Sequence, residues 1–360
     1  MSGVGLSKPA LHPREVLLGA QGAGGFLPVC DHYSGVEARM KKSLQLQAEM
    51  SEEFGACVFD VTLDCEDGAP AGAEVEQAHC VVALANAALS ASRSQYLKNR
   101  VGARLHAVDH PSFDSDVAIV AAGAAASLAY IMIPKVESVA DVAIAVAAID
   151  AVVADKRNSP IPLHVLIESP AAVQRVFDIA AHARVESVSF GLMDFVSAHG
   201  GAIPSTAMGV RSDEDAVTLD QFHHPLVVRA KLEIASACHA AGKVPSHCVV
   251  TEFRNREALE QAARVAANAF GYTRMWSIHP DQIRPILKAF SPTEAEVELA
   301  CNIVLEAARQ EWAPISLAGK LHDRASYRYF WQLLERANQT GCTLPDEMHA
   351  YFSSDVSLAN

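Results

Sequence analysis

Positive charge is in short supply in this chain: 29 Lys and Arg stand against 42 Asp and Glu in 360 residues, a formal net charge of −13. That is the wrong sign for a surface that holds nucleic acid through its phosphates, which argues against a DNA or RNA partner. Long apolar runs are missing too. No stretch reaches the roughly 18 apolar residues of a membrane span, and the opening MSGVGLSKPALHPREVLLGAQGAGG lacks the basic-then-apolar order of a secretory leader. Neither membrane insertion nor secretion is expected. The eight cysteines include no C-x-x-C pair and no ladder of close spacings, so they read as reduced, packed thiols in a cytoplasmic protein. Phosphate-cradling motifs are absent as well: GAQGAGG has no strand before it and no Lys-Ser/Thr after it. His199-Gly200-Gly201 is accompanied by no G-x-S-x-G elbow, which argues against a serine hydrolase.

What is present is ample core material, 50% hydrophobic against 20% charged residues. Eight short apolar or β-branched runs begin at Gly25, Cys57, Arg100, Leu128, Pro162, Ser187, Lys243 and Arg274. Between them lie alanine-rich or amphipathic stretches such as SVADVAIAVAAIDAVVADK and REALEQAARVAANAF. Strand-then-helix order implies a parallel sheet, and eight repeats of about 31 residues predict an α/β fold closed as a (β/α)8 TIM barrel. An open doubly wound sheet is the alternative that periodicity alone leaves standing. After Ser291-Pro292, two helical stretches form a C-terminal appendage. The division read from the sequence is an extension at 1–24, a barrel at 25–290, a helical appendage at 291–340 and a weakly structured tail at 341–360.

In such a barrel the chemistry gathers where strands end. Asp64, Glu66 and Asp67 close the second run, Arg104 and His106 lie in the third, Lys135 and Glu137 close the fourth, Glu168 the fifth, Asp194 the sixth and His279 the eighth. Carboxylates converging from several strands repel one another unless a cation sits among them, and oxygen-only ligands suit Mg²⁺. Glu168 and Asp194 are the expected ligands. His106 and His279 show no zinc spacing and read as hydrogen-bonded structural histidines.

Six segments, in order, carry a family likeness: LDCEDGAP (63–70), ARLHAVD (103–109), IPKVES (133–138), IESPAAV (167–173), FGLMD (190–194) and SIHPDQI (277–283). From about Phe26 to Asn338 the chain resembles the HpcH/HpaI aldolase and citrate lyase β-subunit family. The resemblance implies a Mg²⁺ enzyme that breaks or forms a carbon–carbon bond between a 2-oxo acid and an enolate, usually of an acyl-CoA. Carried over position by position, it implies Glu168 and Asp194 as metal ligands, Arg104 on the oxo-acid oxygens, and Glu66 and Asp67 as an acidic pair orienting the metal's waters and that arginine. Gly191, Leu192 and Met193 are implied at the substrate, and Asp323, in AGKLHDRA, as a proton-transfer group entering a neighbouring subunit's site. Asp323 reads equally well as a helix N-cap. The family's asparagine after the arginine is replaced here around Leu105-His106, and the N-terminal region lacks the basic positions that CoA-using members place there.

The expected function is therefore a Mg²⁺-dependent lyase on a malyl-, citramalyl- or citryl-CoA type of substrate. A thioesterase on the same esters, a CoA-independent 2-oxo acid aldolase, and a non-catalytic lyase subunit are the alternatives. The expected partners are small molecules and further copies of the chain, as a trimer or hexamer.

Overall fold

Each of the eight runs becomes a short parallel strand, and in most of them alternate residues are apolar and pack outward under a helix. The computed structural model describes residues 12–19, 27–91, 99–211 and 219–353. The glycine-rich segment at 20–26 lies outside them. In chain order the elements of the barrel and its flanks are α1 (Pro13–Leu18), β1 (Cys30–Ser34), α2 (Glu37–Phe54), β2 (Phe59–Asp64), α3 (Glu74–Ala91), β3 (Val101–Arg104) and α4 (Phe113–Asp116). A π-helical turn, Val117–Ala121, extends α4. There follow β4 (Tyr130–Ile133), α5 (Val139–Val153), β5 (Leu163–Ile167), α6 (Pro170–Gln174), α7 (Val176–Ala181), β6 (Val185–Phe190), α8 (Leu192–Ser197), α9 (Pro225–Ala241), β7 (Val244–His247), α10 (Arg256–Asn268), β8 (Arg274–Ser277) and α11 (Pro280–Phe290). The strands pair in sequence order and β8 closes on β1, with Cys30 opposite Met275, so the sheet is a closed (β/α)8 barrel. The open-sheet alternative is eliminated.

Local chemistry sets the element boundaries. Ser138 and Asp141 cap α5 reciprocally, and the Ser169 hydroxyl accepts from the Ala172 N–H ahead of Pro170 at the start of α6. Outward strand residues such as Val61, Ile131 and Val165 are fully buried against the helices in one continuous core. The barrel interior differs, being charged rather than filled with branched aliphatics. Arg274 Nη2 lies 2.8 Å from Asp60 Oδ2 and 3.4 Å from Asp31 Oδ2, all three side chains fully enclosed. Asp31 also accepts from Thr62 Oγ1 at 2.7 Å, Tyr130 OH at 3.2 Å and Trp276 Nε1 at 2.9 Å. Buried charges persist when paired, and the network pairs Arg274 with both aspartates; Asp31 is hydrogen-bonded as well, whereas Asp60 and Arg274 meet only as an ion pair.

The chain divides into two units, Leu27–Phe290 and a second made of Met1–Phe26 with Ser291–Asn360. In the second, α12 (Glu294–Arg309), a hairpin of β9 (Ile315–Leu317) and β10 (Lys320–His322), α13 (Arg324–Gln339) and α14 (Asp346–Ser353) gather around Trp331. Helix α1 belongs to this unit: Leu17 and Leu18 enter its core and the Leu17 carbonyl accepts from Arg328 Nε at 3.0 Å. The segment after Gln339, expected to be weakly structured, contains α14. Its Met348 is fully buried and its Phe352 ring stacks on Trp331 at 5.1 Å, an apolar contact that scattered polar residues conceal in the sequence.

Candidate active site

At the C-terminal mouth of the barrel, alternation along β3 turns Ala103 outward and Arg104 inward. Arg104 Nε donates to Asp64 Oδ1 at 2.7 Å and Nη2 to Oδ2 at 2.6 Å, a two-point pairing with the last residue of β2. Nη1 lies 3.0 Å from Glu66 Oε2. Asp64 is fully buried and also accepts the Glu66 and Gly68 N–H groups at 3.0 and 2.8 Å, so one carboxylate anchors the arginine and the loop that follows β2. Gly68 is required there, since a Cβ would stand 2.2 Å from Asp64 Oδ2. Burial pushes the Arg104 guanidinium down, but the Asp64 and Glu66 charges outweigh it and hold it far above its ordinary value. Arg104 is a fixed cation, with two of its five N–H donors left over. Its guanidinium lies 5.1 Å from the centre of the Tyr33 ring, which in turn packs at 5.2 Å on Trp276.

Across the mouth, Glu168 follows β5 and accepts the backbone N–H of Lys135 at 2.7 Å. Lys135 adopts φ 53°, the left-handed region that a non-glycine residue enters at a cost, and that bend aims its N–H at the carboxylate. Burial pushes the Glu168 carboxyl up to about 7, and the charge of Asp194, in the first turn of α8, pushes the same way. The Lys135 ammonium pairs with Glu66 and lies 3.4 Å from Asp67 Oδ2. Burial lowers it, but these carboxylates outweigh that effect and raise it.

The donor set fits Mg²⁺. Glu168 and Asp194 are hard oxygen donors whose repulsion a divalent cation would relieve, and Mg²⁺ takes one or two carboxylates and completes its shell with water and substrate oxygens. Gly191 leaves the space beside Glu168 open, because a Cβ there would stand 2.3 Å from Glu168 Oε1. Among the described residues no group of three or more His, Cys, Asp or Glu is placed to hold a metal, so the chain would supply the two carboxylates and leave the rest of the shell to water and substrate.

The structure thus brings Arg104, Glu66, Glu168 and Asp194 to one end of the barrel. Asp67 is exposed and meets Lys135 rather than Arg104. Gly191 caps α8 against Glu168, Leu192 faces the outer core at 2% exposure, and Met193 is half-buried. Asp323 lies in the C-terminal unit as the exposed N-cap of α13, accepting from Ala325 and Ser326 N–H at 2.9 and 3.3 Å. His279 is 3.6 Å from Asp281 and stacks on Phe253. Sequence reasoning gave no role to Asp64, Tyr33 or Lys135. Strand parity could have found the first, since Asp64 shares the inward register of Asp60, whereas nothing in the sequence announces Tyr33.

A pair of carboxylates and a buried, doubly held arginine thus stand together at the mouth of a (β/α)8 barrel. The chain belongs to the HpcH/HpaI aldolase/citrate lyase family, whose model matches residues 44–280. It is 30% identical over 292 residues to an L-malyl-CoA/β-methylmalyl-CoA lyase of Cereibacter sphaeroides, covering 77% of this chain and 87% of that one. It is 47% identical to a Burkholderia xenovorans citrate lyase crystal structure, with a TM-score of 0.76 over 95% of this chain and all of the other. The fold also resembles the Mycobacterium tuberculosis CitE protein, solved with magnesium, acetoacetate and coenzyme A, at 22% identity and a TM-score of 0.57, covering 86% of this chain and 98% of that one.

Proposed function

We propose that this protein is a Mg²⁺-dependent carbon–carbon lyase that cleaves a 2-hydroxyacyl-CoA of the malyl, citramalyl or citryl type into a 2-oxo acid and an acyl-CoA. The observation that carries the reading is the rigid Arg104 facing the Glu168–Asp194 pair: a permanent cation with spare donors beside two carboxylates that lack one. The lyase named for the Cereibacter relative supports the substrate class. Magnesium held by Glu168 and Asp194 would supply Lewis-acid polarisation of the substrate's carboxylate and 2-hydroxyl oxygens. The chain's own residues do the rest.

Arg104, kept immobile by Asp64 and Glu66, offers its two remaining N–H groups to the 2-oxygen and favours the negative charge that develops there. As the hydroxyl proton leaves, the C–C electron pair moves onto the thioester carbon skeleton, and a second proton is delivered to the departing carbon. Asp323 of a neighbouring subunit is the candidate for that second transfer, which requires a homo-oligomer, a trimer or hexamer. The Lys135 ammonium, at the exposed edge of the site, attracts the anionic ester.

The test is incubation with Mg²⁺ and malyl-, citramalyl- and citryl-CoA, following free thiol and 2-oxo acid together, with Asp194→Ala as control. The expected result is 2-oxo acid and acyl-CoA in equal amounts, lost in the variant. Thiol release without oxo acid would overturn the reading in favour of a thioesterase, and turnover of CoA-free 2-oxo acids alone would make the protein an aldolase. A monomer by light scattering would remove Asp323 from the mechanism.

A further inference from the structure

The loop after β3 carries a second polar cluster that the site as described does not use. The ladder between β3 and β4 continues one residue past Arg104, with Leu105 N–H donating to the Met132 carbonyl at 3.1 Å. Leu105 faces the outer core and is fully buried, and His106, 7% exposed, follows it at the mouth end of the barrel. Its Nδ1 lies 2.7 Å from Asp116 Oδ2, and the same oxygen accepts the His106 backbone N–H at 2.9 Å. Asp116 is 1% exposed and ends α4 where the helix widens into the π-turn Val117–Ala121. Such turns recur at functional sites because they re-aim a side chain.

Burial pushes the Asp116 carboxyl up and its two contacts with His106 pull it back; with Asp116 ionised it can only accept, so Nδ1 carries the hydrogen and Nε2 of the neutral ring the lone pair. Nε2 has no partner among the described residues, yet it is not one of the buried side-chain atoms left unsatisfied, so it meets solvent. An imidazole held through one nitrogen by a buried carboxylate, with the other nitrogen open, is arranged as a general base rather than as a packing residue.

We propose that His106, oriented by Asp116, takes the proton from the substrate's 2-hydroxyl in the cleavage direction and returns it to the 2-oxo oxygen in the reverse. The O–H bond breaks with its proton going to Nε2, the oxygen's electron pair forms the C=O bond, and the C–C pair leaves on the acyl-CoA fragment, which the second acid protonates. No oxidant or further reactant enters. The inference rests on the lyase reading and adds the group that this reading lacks. The charged and titratable groups around the ring are Asp116 on α4, His110 stacked on it at 4.3 Å, and Glu74 at the start of α3, which feels both imidazoles.

The test uses His106→Asn and His106→Gln, each checked by thermal melting, together with Asp116→Asn as a variant of the positioning residue. Expected are a kcat for the hydroxyacyl-CoA lower by about 10²–10⁴-fold in both His106 variants, a KM within a few-fold, and loss of the acidic limb of the kcat–pH profile. Asp116→Asn should show a smaller loss with the limb displaced. Independently, ¹⁵N-histidine NMR of the wild-type protein with Mg²⁺ and glyoxylate, pyruvate or oxaloacetate should move the His106 Nε2 resonance. A His106→Gln enzyme with unchanged kcat and pH profile, or an Nε2 signal that none of the three acids moves, overturns the proposal. An Nε2 signal that moves in a protein without lyase turnover overturns the carbon–carbon reading instead while placing His106 at the oxo acid, so the two failures are told apart.

Discussion

Replacing Gly191 by alanine should weaken divalent-metal binding without touching a ligand. The backbone there, at φ −86° and ψ 82°, lies near the inverse γ-turn conformation that L residues also adopt, so the main change is the added methyl group. That methyl would stand 2.3 Å from Glu168 Oε1, 2.4 Å from Cγ and 2.7 Å from Cδ, where ordinary contact begins at 3.4 Å. The carboxylate must retreat by about 1 Å, a displacement large enough to disable a positioned group. Retreat is opposed: Glu168 is 6% exposed and held by the Lys135 N–H at 2.7 Å. Overpacking of this kind costs about 1–3 kcal/mol, which lowers metal affinity about 5- to 150-fold if it falls on the bound geometry. Titration with Mn²⁺, read by the electron paramagnetic resonance of the free ion, measures it directly, with Glu168→Gln as reference. A Gly191→Ala protein that binds Mn²⁺ within twofold of wild type while Glu168→Gln binds none would refute the reasoning, since Glu168 would then have room that the packing denies it.

Three further outcomes follow from the same geometry. Asp64→Asn leaves Arg104 buried with only Glu66 beside it, and breaking such a pair costs about 3–5 kcal/mol; the urea midpoint should fall at unchanged m-value, and a midpoint equal to wild type would count against the anchoring role. Tyr33→Leu removes the ring that packs on the Arg104 guanidinium, an attraction worth about 2 kcal/mol when desolvated, so kcat/KM should drop roughly thirtyfold while Tyr33→Phe stays near wild type; equal losses in both would shift the role to the phenol oxygen. Lys231, fully buried on α9 with Gln221 Oε1 at 2.8 Å and the Phe222 ring at 4.0 Å, is pushed down to about 8 by burial. The unfolded lysine keeps its proton up to about pH 10.4, so the unfolded state binds more protons between about pH 8 and that value and stability gains up to roughly 3 kcal/mol as pH rises through the window. Relative to wild type, Lys231→Met should lack that rise in urea melts at pH 8 and 10, and parallel curves would refute the assignment.

The barrel was legible because its outward residues obey simple rules. Val61, Ala103, Ile131 and Val165 recur with strand parity between helix-forming stretches, and caps such as Ser169-Pro170 mark the joins. The strand-end acids were legible too, as residues closing each run. What sequence could not show was pairing across strands. Asp64 and Arg104 are 40 residues apart yet share two hydrogen bonds, and although parity with Asp60 turns Asp64 inward, no local pattern names Arg104 as its partner. His106 is hydrogen-bonded as expected, but its partner Asp116 could not be named from the sequence, because it lies beyond a loop and on a helix that changes pitch. The helix α14 was missed because its stability comes from Trp331, a residue of another helix.

The distribution of charge explains why the site needs something the chain does not contain. Arg104 and Lys135 are both engaged by the acids after β2: Asp64 and Glu66 hold the arginine, and Glu66 with Asp67 holds the lysine. Glu66 joins the two cations, so neither can swing over to Glu168 without stripping a charge from a buried carboxylate. Glu168 and Asp194 are left facing each other with no ion-pair partner among the described residues. Two resolutions exist: Glu168 takes up a proton, as its value of about 7 allows, or a divalent cation settles between them. The cation satisfies both carboxylates at once and leaves coordination positions for the substrate, and the proton does neither. On the proposed reading, the acids that hold Arg104 in place would therefore also leave the neighbouring pair free for metal, and the loop after β2 would serve the anion-binding role of Arg104 and the metal-binding role of Glu168 and Asp194 through the same contacts.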